Sequence, residues 1–187
     1  VAEGVEHIST YQLTLEPDTP LGTKNPDLPE GYSFYRFAQW YLPRKGLEQY
    51  EVASFARPGR ECLHNLAYWR QENVLALGPA AWGYLAGDGL RYHNASTLEE
   101  YLDLVFNQCP IVEIERFDNR NRGVEAAILV LRTKWGIDAS AFTERFGNGL
   151  WNEIRQVLES IPRHLVSFEG GGVRLTPSGM KVGNAIW

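Results

Sequence analysis

The chain has 187 residues, a formal net charge of −5, 44% hydrophobic and 22% charged residues, enough for a real core in one domain or one and a half. Mild acidity argues against wholesale nucleic-acid binding, which displays a basic face to phosphates. The longest weakly polar run, Val74 to Gly87, holds Pro79 and three glycines and is too short to span a bilayer, so neither a transmembrane segment nor a signal peptide is read.

The two cysteines, Cys62 and Cys109, lie 47 positions apart, which leaves no CxxC pair and no disulfide framework and fits a reducing compartment. The first residue is Val1 and a strand follows at once, so the chain is expected to be a piece of a longer protein. Val5 to Glu16, with Ile8, Tyr11, Leu13 and Leu15, predicts a strand. Prolines, glycine and asparagine from Pro17 to Pro29 predict a loop. Tyr32, Phe34, Tyr35, Phe37, Ala38, Tyr41 and Leu42 then form an aromatic stripe at helical spacing, stopped by Pro43 and Gly46. A second strand, Tyr50 to Phe55, follows a crossover long enough to require parallel pairing. Arg57 to Glu72 shows neither period and is expected to be a functional loop; a third strand over Asn73 to Leu77 and a fourth over Leu90 to His93 come after it.

Past Ser96 the pattern becomes helical. Thr97 caps a helix to about Gln108, Cys109-Pro110 breaks it, and further helices are predicted at Asn119–Trp135, Ala139–Phe146 and Leu150–Ile161. His164 to Thr176 reads as two strands about the turn Glu169-Gly170-Gly171-Gly172, and Thr176-Pro177 starts a last helix to Trp187. Three helices and a hairpin is the order of a winged helix. A DNA-binding reading of that order is poorly equipped, because its recognition helix would set Glu153 and Glu159 against Arg155.

Chemistry concentrates in the Arg57–Glu72 stretch. From Phe55 to Gln71 it carries Arg57, Arg60 and Arg70 against one acid, Glu61, together with His64, Tyr68 and Trp69. Taken singly, these residues read more often as a hydrogen-bonded structural histidine, a solvated loop edge and packing rings than as a ligand site. Acting together, they suit a porphyrin: imidazole is an axial ligand for haem iron, aromatic rings cover the macrocycle, and guanidinium groups pair with propionates. The small-residue run with Gly78, Ala80, Ala81 and Trp82 permits close backbone approach to a ligand, or is simply a tight strand exit; GxGxxG is absent. His93 and His164 are isolated, and the Asn94-Ala95-Ser96 sequon is discounted.

Three segments together resemble one family: Tyr11-Gln12-Leu13-Thr14-Leu15-Glu16-Pro17-Asp18-Thr19-Pro20, Gln49-Tyr50-Glu51-Val52-Ala53-Ser54-Phe55-Ala56-Arg57-Pro58-Gly59, and His64-Asn65-Leu66-Ala67-Tyr68-Trp69. They look like the C-terminal half of HemW-type radical S-adenosylmethionine (SAM) proteins, haem chaperones long described as oxygen-independent coproporphyrinogen III oxidases, and Leu175-Thr176-Pro177-Ser178-Gly179-Met180 resembles the family's ending. The resemblance implies an α/β plus α+β chain: the C-terminal part of a partial parallel (β/α) barrel, 1–96, followed by a small helical, winged-helix-like domain, 97–187. It puts the family's haem ligand, and so the metal contact, on His64, and implies haem or porphyrin, haem-accepting proteins and the N-terminal half of the same protein as partners, with no nucleic acid. It places the protein in the cytoplasm, the membrane periphery included. The CxxxCxxC motif of the family's 4Fe-4S cluster is absent, so cluster and SAM are expected only with the N-terminal half. Ala76, Pro79 and Trp82 depart from a Gly-x-Gly-x-x-Ala-His-like segment that lies near the family's SAM site. The alternatives are oxidative decarboxylation of coproporphyrinogen III, which needs the cluster half, and a winged-helix interaction module.

Overall fold

A computed structural model describes residues 4–186, and its paired strands are antiparallel throughout. Strand β1 (His7–Ser9) is far shorter than the predicted Val5–Glu16. Within the expected loop that follows, Thr19 accepts the Gly22 amide and Pro20 takes the first position of a one-turn helix, α1 (Pro20–Lys24). Helix α2 (Gly31–Tyr41) matches its aromatic stripe, and Gly46 turns the chain with φ of +77°.

The expected parallel pairing across α2 is corrected here. What reads as one strand from Tyr50 to Phe55 is a hairpin: β2 (Glu48–Gln49) and β3 (Ser54–Ala56) face each other across a turn closed by Tyr50 N–H to Ser54 O at 3.1 Å. β3 then pairs antiparallel with β1 on its other side. β1 and β2 thus run in the same direction, as a crossover dictates, but β3 separates them. Leu42, Leu47 and Phe55 bury against Ile8, Ala38 and Tyr41 to hold α2 on this sheet.

The Arg57–Glu72 stretch is not a bare loop, because it contains α3 (Leu63–Trp69). Seven residues are too few to be helical alone. Leu66 and Trp69, three apart on one face, pack on Tyr50 and Ala56, and that burial holds the helix. The predicted strand Asn73–Leu77 is also corrected: only Val74 bridges, to Tyr84, while Leu75 and Leu77 stand exposed. Side chains hold this segment, with Asn94 Nδ2 donating to Ala76 O and Gly78 O. Two strands of the next sheet were not foreseen, β4 (Trp82–Leu85) and β6 (Ile111–Arg116), which flank β5 (Leu90–Asn94). Gly83 is required in β4 because a Cβ there would meet the Tyr92 ring at 2.2 Å.

The later helices follow their caps. Helix α4 (Leu98–Asn107) starts on Thr97, α5 (Asn119–Leu131) on Asp118 and α6 (Ala139–Phe146) on Asp138. They are followed by α7 (Asn148–Glu159) and the predicted hairpin, β8 (Val166–Glu169) and β9 (Gly172–Leu175). Strand β7 (Ile137–Asp138) adds itself to β9. Leu131, Phe142, Phe146, Trp151, Leu158 and Val173 form the largest core. Helix α8 (Pro177–Lys181) starts on Thr176 as expected but gives way to a 3-10 turn at Gly183–Ala185. Trp187, the predicted end of that helix, lies outside the described residues.

Candidate functional site

A cleft of about 1190 Å³ is lined from the chain after β1, α2, the β2–β3 turn, α3, β4, α5 and the end of the chain near α8. Tyr11, Tyr32, Phe34 and Tyr35 line one side, Tyr68, Trp69 and Trp82 the other, and Glu51, Gln71, Arg91 and Glu125 also face it. Aromatic rings supply much of its apolar surface, and charged side chains of both signs, Glu30, Glu72, Arg132 and Lys181 among them, line it as well; concave apolar surface with polar groups set into it is the character of a small-molecule site.

Helix α3 forms the rim. His64 and Tyr68, four apart, share one face of it, and their rings meet edge to face with centroids 4.9 Å apart at 88°. His64 is exposed and Tyr68 is 39% exposed. Trp69 turns inward to the Tyr50 cluster and lies under the Arg132 guanidinium at 5.1 Å. Tyr68 and Trp69 therefore line the cleft, while His64 sits beside it on the outer surface of the same helix.

Two of the three arginines, Arg57 and Arg60, meet Glu6, and the third, Arg70, caps the far end of the helix. Arg60 pairs with Glu6 at 3.2 Å and Arg70 approaches Glu72 at 3.8 Å, all four side chains at least half exposed. Such pairs contribute little and exchange readily. Arg57 is half-buried and its backbone N–H donates to Glu6 O at 2.9 Å. Of the small-residue set, Trp82 alone lines the cleft, stacked on His93 with centroids 4.3 Å apart and planes at 21°. Gly78, Ala80 and Ala81 serve the strand exit: Gly78 N–H donates to the Tyr101 hydroxyl at 3.2 Å, Ala80 N–H to Ala95 O at 2.8 Å, and Ala81 O accepts from Asn94 N–H at 3.0 Å.

Two polar anchors of α3 escaped the sequence reading. The first is Tyr50, fully buried. Its hydroxyl accepts from the Cys62 N–H and Asn65 Nδ2, each at 3.3 Å, so its own proton goes to His7 Nε2 at 2.8 Å. Burial raises the Tyr50 hydroxyl above the usual tyrosine range, against the lowering effect of those donors. The second anchor is Gln71, 3% exposed, bonded to Glu125 and Arg145. Burial also lowers the Arg145 guanidinium from its ordinary value. Tyr50 and Asn65 both lie in segments singled out by sequence; their 15-residue separation gives no hint that they touch.

Among the described residues no group of three or more His, Cys, Asp or Glu side chains is arranged to hold a metal ion. A haem asks for less: one accessible imidazole, aromatic surface and cations near the rim. α3 supplies the exposed imidazole of His64 and the rings of Tyr68 and Trp69, and Arg60 before it and Arg70 at its end are exposed cations, so these residue types fit that group. A 4Fe-4S cluster does not fit this chain, whose cysteines are Cys62 and Cys109 alone.

The HemN C-terminal domain model matches residues 117–182. The heme chaperone HemW of Bacillus subtilis is 29% identical over 191 residues, 97% of this chain and 50% of the relative. That of Synechocystis is 35% identical over 150 residues, covering 73% of this chain and 35% of the relative. For Escherichia coli HemW the figures are 34% over 136 residues, 65% and 35%. The solved coproporphyrinogen III oxidase HemN of Escherichia coli, a radical SAM enzyme, superposes with a TM-score of 0.74 over 97% of this chain and 46% of its own, at 14% identity, and so shares the fold. At most, this chain spans about half the length of the curated relatives it matches. It belongs to the HemN/HemW family and corresponds to the C-terminal half of its members.

Proposed function

We propose that this chain is the haem-binding half of a haem-trafficking protein, with His64 as the axial ligand. The observation that carries the reading is the exposed His64 imidazole, set against the Tyr68 ring at the rim of an aromatic cleft. Bound there, the haem would supply an open iron coordination site for an imidazole nitrogen. Tyr68 and Trp82 offer flat apolar surface to the macrocycle. Arg60 and Arg70 exchange exposed carboxylates, Glu6 and Glu72, for propionates; Arg57 is the third cation of that set. The names of the HemW relatives support this reading over porphyrinogen decarboxylation.

In the organisation we propose, 1–96 derives from a (β/α) barrel completed by an N-terminal half, and 97–187 is a helical portion whose α5, α6, α7 and β8–β9 hairpin act as a winged-helix-like unit. SAM and the cluster belong to that N-terminal half. The proposed setting is the cytoplasm, with haem-accepting proteins as partners; no helix among the described residues is long and apolar enough to cross a membrane.

Haemin titration into the chain and into His64→Ala, followed at the Soret band, tests the ligand. The expected result is saturable binding with a Soret position that changes in the variant and an affinity weakened about tenfold or more. Identical spectra and affinities for the two would remove His64 as ligand.

A further inference from the structure

Gln71 occupies a position for which its residue type is ill suited. The end of α3 is a Schellman turn: Glu72 N–H donates to Ala67 O at 2.9 Å and Gln71 N–H to Tyr68 O at 3.1 Å. In that turn the residue after the cap adopts the left-handed region and is most often glycine, and here it is Gln71, with φ of +54°. L side chains disfavour this conformation. The backbone hydrogen bonds would form equally with glycine, so what glutamine adds is its side chain.

That side chain is fully committed. Nε2 donates to Glu125 Oε2 at 3.0 Å and to Arg122 O at 3.2 Å, while Oε1 accepts from Arg145 Nη2 at 3.2 Å. The second Glu125 oxygen takes Arg91 from β5. The amide cannot be flipped, since one end meets a carboxylate and a carbonyl and the other a guanidinium. One side chain thus ties the end of α3 to α5, to α6 and, through Glu125, to β5.

We infer that Gln71 is a positioning residue, whose amide fixes the direction of α3 and with it the His64 ring and the Tyr68–Trp69 wall. Two facts make the helix dependent on such a lock. It has seven residues, of which Leu66 alone is buried, and its other end hangs from the Tyr50 hydroxyl. The functional consequence rests on the haem reading of His64; the mechanical role does not.

The decisive variant is Gln71→Gly, which suits the backbone and removes the amide. If the turn alone mattered, this change would tighten α3. The lock predicts the reverse: amides of residues 63–70 exchange with deuterium about tenfold faster or more, while those of α7 are unchanged. Gln71→Glu sets a carboxylate against Glu125 and is expected to loosen α3 as well; adding Glu125→Gln restores an amide–carboxylate pair and slows exchange again. Haemin affinity and the His64-dependent Soret position should follow the same order across these variants. α3 exchange in Gln71→Gly no faster than in the parent, or no recovery in the swapped pair, would overturn the inference. A parent chain with no His64-dependent Soret band would sink the haem reading alone, because the exchange measurement still decides the role of Gln71.

Discussion

Replacing Tyr50 by Phe removes one oxygen and leaves the ring where it packs, among Ala56, Leu66 and Trp69. The cost is therefore that of the polar groups left behind. Three lose a partner: His7 Nε2 at 2.8 Å, and the Cys62 N–H and Asn65 Nδ2 at 3.3 Å. A buried group without a partner costs about 1–3 kcal/mol. All three residues are only half-buried and recover part of that from water, so the expected loss is about 2 kcal/mol in total. Urea unfolding at pH 7 should show a lower midpoint with an unchanged slope. The alkaline limb supplies a second reading. Because burial raises the folded-state Tyr50 pKa above the ordinary 10.0, the hydroxyl stabilises the fold fully below pH 10, and that stability is lost as pH rises through the folded value. The gap between parent and variant should therefore narrow above pH 10. Tyr35, also raised by burial, keeps its own part of the slope in both. A loss below about 0.5 kcal/mol at pH 7 would refute the reasoning that this hydroxyl holds the first turn of α3.

Three further outcomes are expected. Gly123→Ala puts a methyl 2.3 Å from Leu150 Cδ2 and 3.1 Å from Phe146 Cγ; overpacking outweighs the gain in helix propensity, and thermal unfolding should show a loss of about 1–2 kcal/mol. Arg60→Glu with Arg70→Glu breaks only exposed pairs, so stability should move by less than about 1 kcal/mol. Haemin affinity in that double variant should nevertheless fall several-fold, more at low than at high salt, as equilibrium titration at two ionic strengths would show.

The helical part was legible in the sequence because its signals are local. Thr97, Thr176 and the Ala139–Phe146 stripe announce themselves within a few residues, and the structure places caps and helix there. The N-terminal part misleads for the opposite reason. Whether Tyr50–Phe55 is one strand or a hairpin is decided by β1, more than 40 residues away. β4 hides in a glycine- and alanine-rich run whose partners are supplied by β5. In the site, His64 and Tyr68 meet because they are four apart on a helix. Residue type alone picked out the three arginines as propionate partners, yet Arg60 has found Glu6, 54 positions earlier. Gln71 gave no signal at all, because its meaning lies in Glu125 and Arg145.

The proposed ligand differs from a permanently metallated histidine in one respect. Metal-ligating histidines donate their second ring N–H to a carboxylate or carbonyl, which fixes the tautomer and strengthens the bond, and loss of that partner costs roughly 10–100-fold in affinity. Among the described residues the ring contact of His64 is with Tyr68, the two planes near perpendicular, with no hydrogen bond to its nitrogens. The backbone beneath it, by contrast, is locked at both ends, by Tyr50 and by Gln71. The imidazole is thus placed but not tightened. For the haem carrier proposed above, that combination would present the His64 ligand reproducibly on a fixed helix while leaving its ring without the partner that tightens a permanent metal site.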